Sequence, residues 1–191
     1  MDHERQAGLP KGKTSIKYKL SRILNLSIGG LEAKLVSSDF IDYLNTFDLI
    51  CLTETFVGEE FELTILKDFV FFIAPAKKLS RQGRRSGGVV VFKRKCFAHL
   101  FTQVNVRFDD FIVLESSRKL LNVGKDILFI FLYIPPHDSR AYAQTTDGVG
   151  VELIENCLSE LLEARGELLV FMCGDFNALT GQETGRVHLI V

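Results

Sequence analysis

The stretch DLICLTE, from Asp48 to Glu54, decides the fold. Its centre is a nearly continuous apolar run, the mark of a strand buried on both faces. Four further segments of the same kind follow: 69–74 (FVFFIA), 87–93 (GGVVVFK), 111–116 (FIVLES) and 126–134 (DILFIFLYI). Residues 168–173 (LLVFMC) make another buried strand, and 22–28 (RILNLSI) suit a strand stopped by Gly29-Gly30. Pro135-Pro136 ends the strand at 134, since proline has no N–H for the ladder. Two segments have helical periodicity. In 38–47, Phe40, Ile41, Leu44 and Phe47 share a face, and Ser37 or Ser38 can cap its start. In 148–165, Val151, Ile154, Leu158, Leu161 and Leu162 line one face, with Asp147 to cap and Gly166 to close. Buried strands with one early and one late helix predict an α/β domain of sheets covered by helices.

The chain has 191 residues, enough for one domain with a real core. Sixteen Phe and no Trp point to a dry, sheet-rich core. The net charge of -1 says nothing about partners, but the distribution of charge does. No acidic residue lies between Asp68 and Asp109, where Lys77, Lys78, Arg81, Arg84, Arg85, Lys93, Arg94, Lys95 and Arg107 all fall. The segment from Glu152 to Glu167 is acid-rich instead. Such asymmetry fits one face meeting polyanions, or simply a solvated basic loop. Cys51, Cys96, Cys157 and Cys173 have no metal-ligand spacing, and three of them sit in apolar runs as small core residues. A reduced, intracellular setting is expected, the nucleus included. Residues 1–20 are polar and basic without an apolar signal core, and read as a flexible lead-in. The longest apolar run, Ile127 to Pro136, falls far short of the roughly 20 residues of a membrane helix.

Three buried strands carry a polar residue at their C-terminal end, where layered α/β folds place ligands. Glu54 follows Thr53, Tyr133 closes Phe129 to Leu132, and Asp175 and Asn177 follow Gly174. A Glu and an Asp converging on one cleft favour a hard cation such as Mg2+ or Mn2+. Such an ion neutralises and polarises a phosphate. A single acidic residue after a strand is more often a cap; three such ends shift the balance.

Several short segments resemble the boxes of the endonuclease/exonuclease/phosphatase superfamily, in the family's order. They are Leu52-Thr53-Glu54-Thr55, Gly174-Asp175-Phe176-Asn177-Ala178, Gly87-Gly88-Val89-Val90-Val91-Phe92, Tyr133-Ile134-Pro135-Pro136 and Ile28-Gly29-Gly30-Leu31. The wording is most like non-LTR (LINE-type) retrotransposon endonucleases. The resemblance implies a DNase I-like β-sandwich covered by helices, and a metal-dependent phosphodiesterase that nicks DNA. It makes Glu54 the Mg2+ (or Mn2+) ligand and Asp175 the group that orients or deprotonates the attacking water. It gives Asn177 a phosphate oxygen and Tyr133 the developing charge on the phosphate. Lys77, Lys78, Arg81, Arg84 and Arg85 become candidates for the DNA backbone.

Departures from the family pattern set further expectations. Ser27 and Gly29 stand where the opening box has Asn and then Asn or Asp, and Asn25 is out of phase by two residues. The family's closing strands, with a second catalytic Asp and an Asp-His pair, have no match before Val191. His188 reads as tail, and His99 and His137 match no box. Residues 21–191 are therefore expected to form a partial domain, incomplete at its C-terminus, with little or no nicking of DNA. The alternatives are an inactive remnant of a retroelement-derived endonuclease, and a phosphoinositide or sphingomyelin phosphodiesterase of the same superfamily. No membrane partner is expected.

Overall fold

The computed structural model describes residues 20–177, apart from 63, 117, 119–123, 137, 145–147 and 166–167. Among the described residues, eight strands form two four-stranded mixed sheets. The first has the order β1 (Ile23–Ser27), β2 (Leu49–Thr53), β4 (Val89–Arg94), β3 (Phe69–Ala74). The second runs β5 (Phe101–Val104), β6 (Phe111–Ser116), β7 (Ile127–Tyr133), β8 (Leu169–Asp175). Helices α1 (Leu31–Lys34) and α2 (Ser38–Leu44) follow β1, and α3 (Val151–Arg165) precedes β8. This is the helix-covered β-sandwich expected of the sequence.

The apolar runs are continuous because each strand has two dry faces. Along β2, Leu49 and Cys51 enter the core between the sheets, while Ile50 and Leu52 pack on the outer side with Leu31, Leu35 and Leu44. Along β7, Phe129, Phe131 and Tyr133 point between the sheets, and Leu128, Ile130 and Leu132 pack with Leu153, Ile154, Cys157 and Leu161 of α3. Ser37 caps α2, its hydroxyl accepting from the Phe40 N–H at 3.4 Å.

Several details differ from expectation. The buried face of α3 is Leu153, Ile154, Cys157 and Leu161, and Val151 and Leu162 are exposed. The helix is rotated from the expected stripe because the second sheet takes the pair Leu153-Ile154. Strand β5 and helix α1 were not expected; FTQV and LEAK are too short for periodicity to register. Leu20, expected in the lead-in, packs between the sheets. The rest of the lead-in, the caps Asp147 and Gly166, His137 and His188 lie outside the described residues. Among the described residues no helix is long and apolar enough to cross a membrane.

Candidate active site

Each sheet contains one parallel pair, β1 with β2 and β7 with β8. Parallel strands deliver their C-terminal ends to one edge. The registers Ser27↔Thr53 and Tyr133↔Asp175 bring four strand ends level, two from each sheet. The Ser27 hydroxyl donates to Glu54 Oε2 at 3.0 Å and lies close enough to Asp175 to hold its carboxyl down. A residue of β1 thus joins a carboxylate of its own sheet to one of the other.

Burial is the main force on Asp175 and pushes its carboxyl above the usual range. The Asn177 N–H, 3.1 Å from Oδ1, opposes that rise, the Glu54 charge adds to it, and Ser27 opposes it. Burial, then the charges of Glu54 and Asp175, push the Tyr133 hydroxyl up to about 12, against a hydrogen bond to Ser86. Tyr133 is therefore an O–H donor throughout the neutral range. No ion pair reaches Glu54 or Asp175 among the described residues.

The backbone is held tightly here. Glu54 (φ 52), Phe56 (φ 58) and Asn177 (φ 39) are the described non-glycine residues with positive φ. Such conformations cost energy and persist where surrounding bonds over-determine them. Glu54 O accepts from Gly30 N–H at 2.8 Å, and Phe56 N–H donates to Gly87 O at 3.1 Å. Gly87 (φ +73) has to be glycine, since a Cβ there would meet Tyr133 Cε1 at 2.7 Å. The GG of the strand start thus seats the Tyr133 ring. Asn177 Nδ2 donates to Ile134 O at 2.9 Å, which ties the DFN turn to the end of β7.

The basic stretch divides into two. Lys93, Arg94 and Lys95 stand at the far end of β4, because β4 runs antiparallel to β2 with Leu49 opposite Lys93 and Thr53 opposite Val89. Lys93 is buried, 4.6 Å from the Phe72 ring centre, and Arg94 pairs with Asp48 at 3.5 Å. The 77–86 segment lies at the near end, tied by the Lys77–Ser86 bridge. Within it Lys77 is held by Asp110 at 2.8 Å and Arg85 by Glu60 at 2.9 Å. Lys78 and Arg81 are exposed, and the Arg84 guanidinium lies 4.5 Å above the Phe56 ring centre, two residues from Glu54. A cavity of about 800 Å³ opens beyond the Lys77 side, lined by Lys77, Arg85, Ile73, Phe108 and Phe111 among others.

The structure therefore brings Glu54, Asp175, Tyr133 and Ser27 together, with Asn177 beside them and Arg84 nearby, while Lys77 and Arg85 are engaged in ion pairs. Sequence reasoning missed Ser86, Asp110 and, above all, Asn25, whose Nδ2 donates to Gly174 O at 2.9 Å. The signal was present in the spacing: Asn25 is two residues before Ser27 on a strand, so the two share a face.

No protein-family model matches the chain, and no curated protein matches it in sequence. Solved structures do resemble it. AP endonuclease LMAP from Leishmania major superposes with a TM-score of 0.56 at 13% identity, over 80% of this chain and 53% of that one. The APE2 catalytic domain of Xenopus laevis gives a TM-score of 0.54 at 16% identity, over 83% and 59%. An AP endonuclease from Archaeoglobus fulgidus gives 0.50 at 18% identity, over 84% and 58%. The chain spans little more than half the length of each. At these identities the likeness is one of fold.

Proposed function

From a chain with the DNase I-like fold of the endonuclease/exonuclease/phosphatase superfamily, we propose a divalent-metal-dependent phosphodiesterase site that cuts the DNA backbone. One observation carries the reading. Two carboxylates, one from each sheet, flank the Ser27 hydroxyl, which donates to Glu54, and no ion pair reaches either among the described residues. Like charges brought together at a cost are what a bound cation would repay. Hard oxygen donors suit Mg2+ or Mn2+, and Mg2+ is commonly held by one or two carboxylates with water in the remaining positions. Glu54 and Asp175 are the donors available for that role, and no cluster of three His, Cys, Asp or Glu side chains that could hold a metal lies among the described residues.

In this reading Glu54 holds the metal. When bound, the ion supplies charge neutralisation and polarisation at the phosphate. Asp175, raised above the usual carboxylate range, accepts the proton of the attacking water, for which a base nearer neutrality is better suited. The water oxygen bonds to phosphorus, the P–O bond to the leaving sugar oxygen breaks with its electron pair going to that oxygen, and the oxygen takes a proton from solvent. Tyr133 donates its O–H to a non-bridging oxygen where negative charge builds. Asn177 has one amide N–H committed to Ile134 O, which leaves the second for a phosphate oxygen. Arg84, stacked on Phe56, meets a neighbouring phosphate of the strand. Lys78 and Arg81 add sequence-independent attraction. Residues 21–191 are read as part of such a domain.

A second reading, a domain that binds DNA without efficient turnover, is favoured by Gly29. It stands where the resemblance implies a side chain, and nothing lies within 4 Å of where its Cβ would be.

The test is nicking of supercoiled plasmid with Mg2+ or Mn2+, alongside DNA binding at two salt concentrations. Metal-dependent nicking should fall by about 10²-fold or more in Glu54→Ala or Asp175→Ala. Binding should weaken steeply with salt, with a shallower slope in Arg84→Ala. Nicking indifferent to both acidic substitutions would overturn the active-site reading. DNA binding lost on Arg84→Ala, without nicking by any version, would establish the second one.

A further inference from the structure

Strand β8 is the last strand of its sheet, with β7 on one side and no strand on the other among the described residues. Asp175 O faces β7 and accepts from Ile134 N–H at 2.8 Å. Backbone carbonyls alternate in direction along a strand, so Gly174 O turns outward, away from β7. The peptide that leads into Asp175 would thus have an acceptor without a strand partner. Its partner is the Asn25 side chain, which crosses from the other sheet to donate to Gly174 O at 2.9 Å.

Two features make this contact more than a chance surface bond. Asn25 is level with Cys51 in the β1–β2 register, and Cys51 packs in the same core between the sheets as Cys173, the residue before Gly174. Two small side chains facing each other let the sheets approach closely at this point. Gly174 also cannot shift to accept a side chain: at φ +155 its Cβ would lie 1.9 Å from Leu132 O. The following carbonyl is tied to Ile134 N–H, and Asn25 is placed against that of Gly174.

We infer that Asn25 is a positioning residue: by clasping the Gly174 carbonyl it sets the separation of Glu54 and Asp175 across the two sheets. The inference rests on the reading of those two as the metal and base groups. Asn25 touches neither carboxylate in any recorded bond and acts through the peptide preceding Asp175. Groups that orient metal-binding side chains typically change affinity by about 10–100-fold when removed.

The experiment has two readouts. The first is Mn2+ affinity, measured by water-proton relaxation on the full chain, for wild type, Asn25→Ala, Asn25→Leu, Asn25→Gln and Glu54→Gln. The second is amide hydrogen exchange at Ile134, with Leu169 as the internal control because its N–H bonds Asp126 O at the other end of β8. Asn25→Ala and Asn25→Leu should weaken Mn2+ binding about tenfold or more. Both should also speed exchange at Ile134 several-fold, roughly what one hydrogen bond contributes, and leave Leu169 unchanged. Asn25→Gln, which keeps the amide donor, should recover part of both effects.

If Glu54→Gln weakens Mn2+ binding and the Ala and Leu variants do not, the clasp is overturned and the metal reading stands. If Glu54→Gln has no effect, the metal reading falls and exchange at Ile134 decides whether the clasp exists. Equal acceleration at Ile134 and Leu169 would mean general loosening and would overturn the positioning role.

Discussion

Strand β2 has a carboxylate at each end, and the two are treated in opposite ways. Before it, Asp48 is held by the N–H groups of Ser21 and Arg22 at 3.0 and 3.1 Å, the Ser21 hydroxyl at 3.0 Å, and Arg94 at 3.5 Å. Burial pushes its carboxyl up, but these partners outweigh it and leave it below the usual range. After the strand, Glu54 has a hydroxyl and a second carboxylate for company, and Asp175 is left above the usual range. A carboxylate surrounded by donors stabilises the fold that made it. A pair of carboxylates kept together without a cation costs stability, and such a cost marks a site arranged for something else.

The sharpest way to break this contrast is to add metal. Mn2+ at 100 times its dissociation constant should raise the unfolding free energy by about 2.7 kcal/mol. For a chain of this size that is a rise in Tm of roughly 5–10 °C. Glu54→Gln should abolish the shift, and Asp48→Asn should leave it intact. An equal shift in both variants would place the metal elsewhere and remove the functional meaning of the comparison.

Next in size is the loss of Asp48. Asp48→Ala strips the acceptor from two backbone N–H groups and a hydroxyl, and should lower stability by about 1–3 kcal/mol in urea unfolding. The acid limb of the wild-type curve should change as well. A lowered carboxyl contributes stability that is present above its unfolded pKa and lost as pH falls through its folded value. Asp48→Asn should therefore flatten the decline at the acid end. An undiminished decline would mean that Asp48 is no more a structural carboxylate than Glu54.

The smallest effect has the opposite sign. Asp175 is raised, so its contribution is fully present below the unfolded pKa and is lost as pH rises through the folded one. At neutral pH and without metal, Asp175→Asn should stabilise the chain. Solvent screening of a half-buried group holds the gain below about 1 kcal/mol. The gain should vanish at a pH below the ordinary carboxylate range. Destabilisation at neutral pH would show that the carboxylate is satisfied in a way its described contacts do not reveal.

Periodicity found the strands because burial on both faces leaves a plain mark: β2 and β7 are apolar at every central position. It missed β5 and α1, whose four residues are shorter than the signal needs, and it misjudged which face α3 buries by a fraction of a turn. At the site, Glu54, Tyr133, Asp175 and Asn177 stood out because they interrupt or end apolar runs. The basic stretch looked like one feature in sequence and is two in space. An antiparallel strand carries Lys93 to Lys95 a full strand length from Lys77 to Arg85, and no count of charges reveals direction.

The sequence by itself determined the alternation of dry strands and helices, and therefore the layered class, together with the polar residues that end those strands. Those are local properties, written in spacing and composition. Only the tertiary structure decided that Ser27 stands between Glu54 and Asp175 and that Asn25 reaches Gly174, 149 residues away. It also decided that Lys77 and Arg85 are spent on ion pairs while Arg84 lies on Phe56. Each of these depends on how two sheets are superposed. That superposition is fixed by the whole core packed between them and by no single stretch of chain.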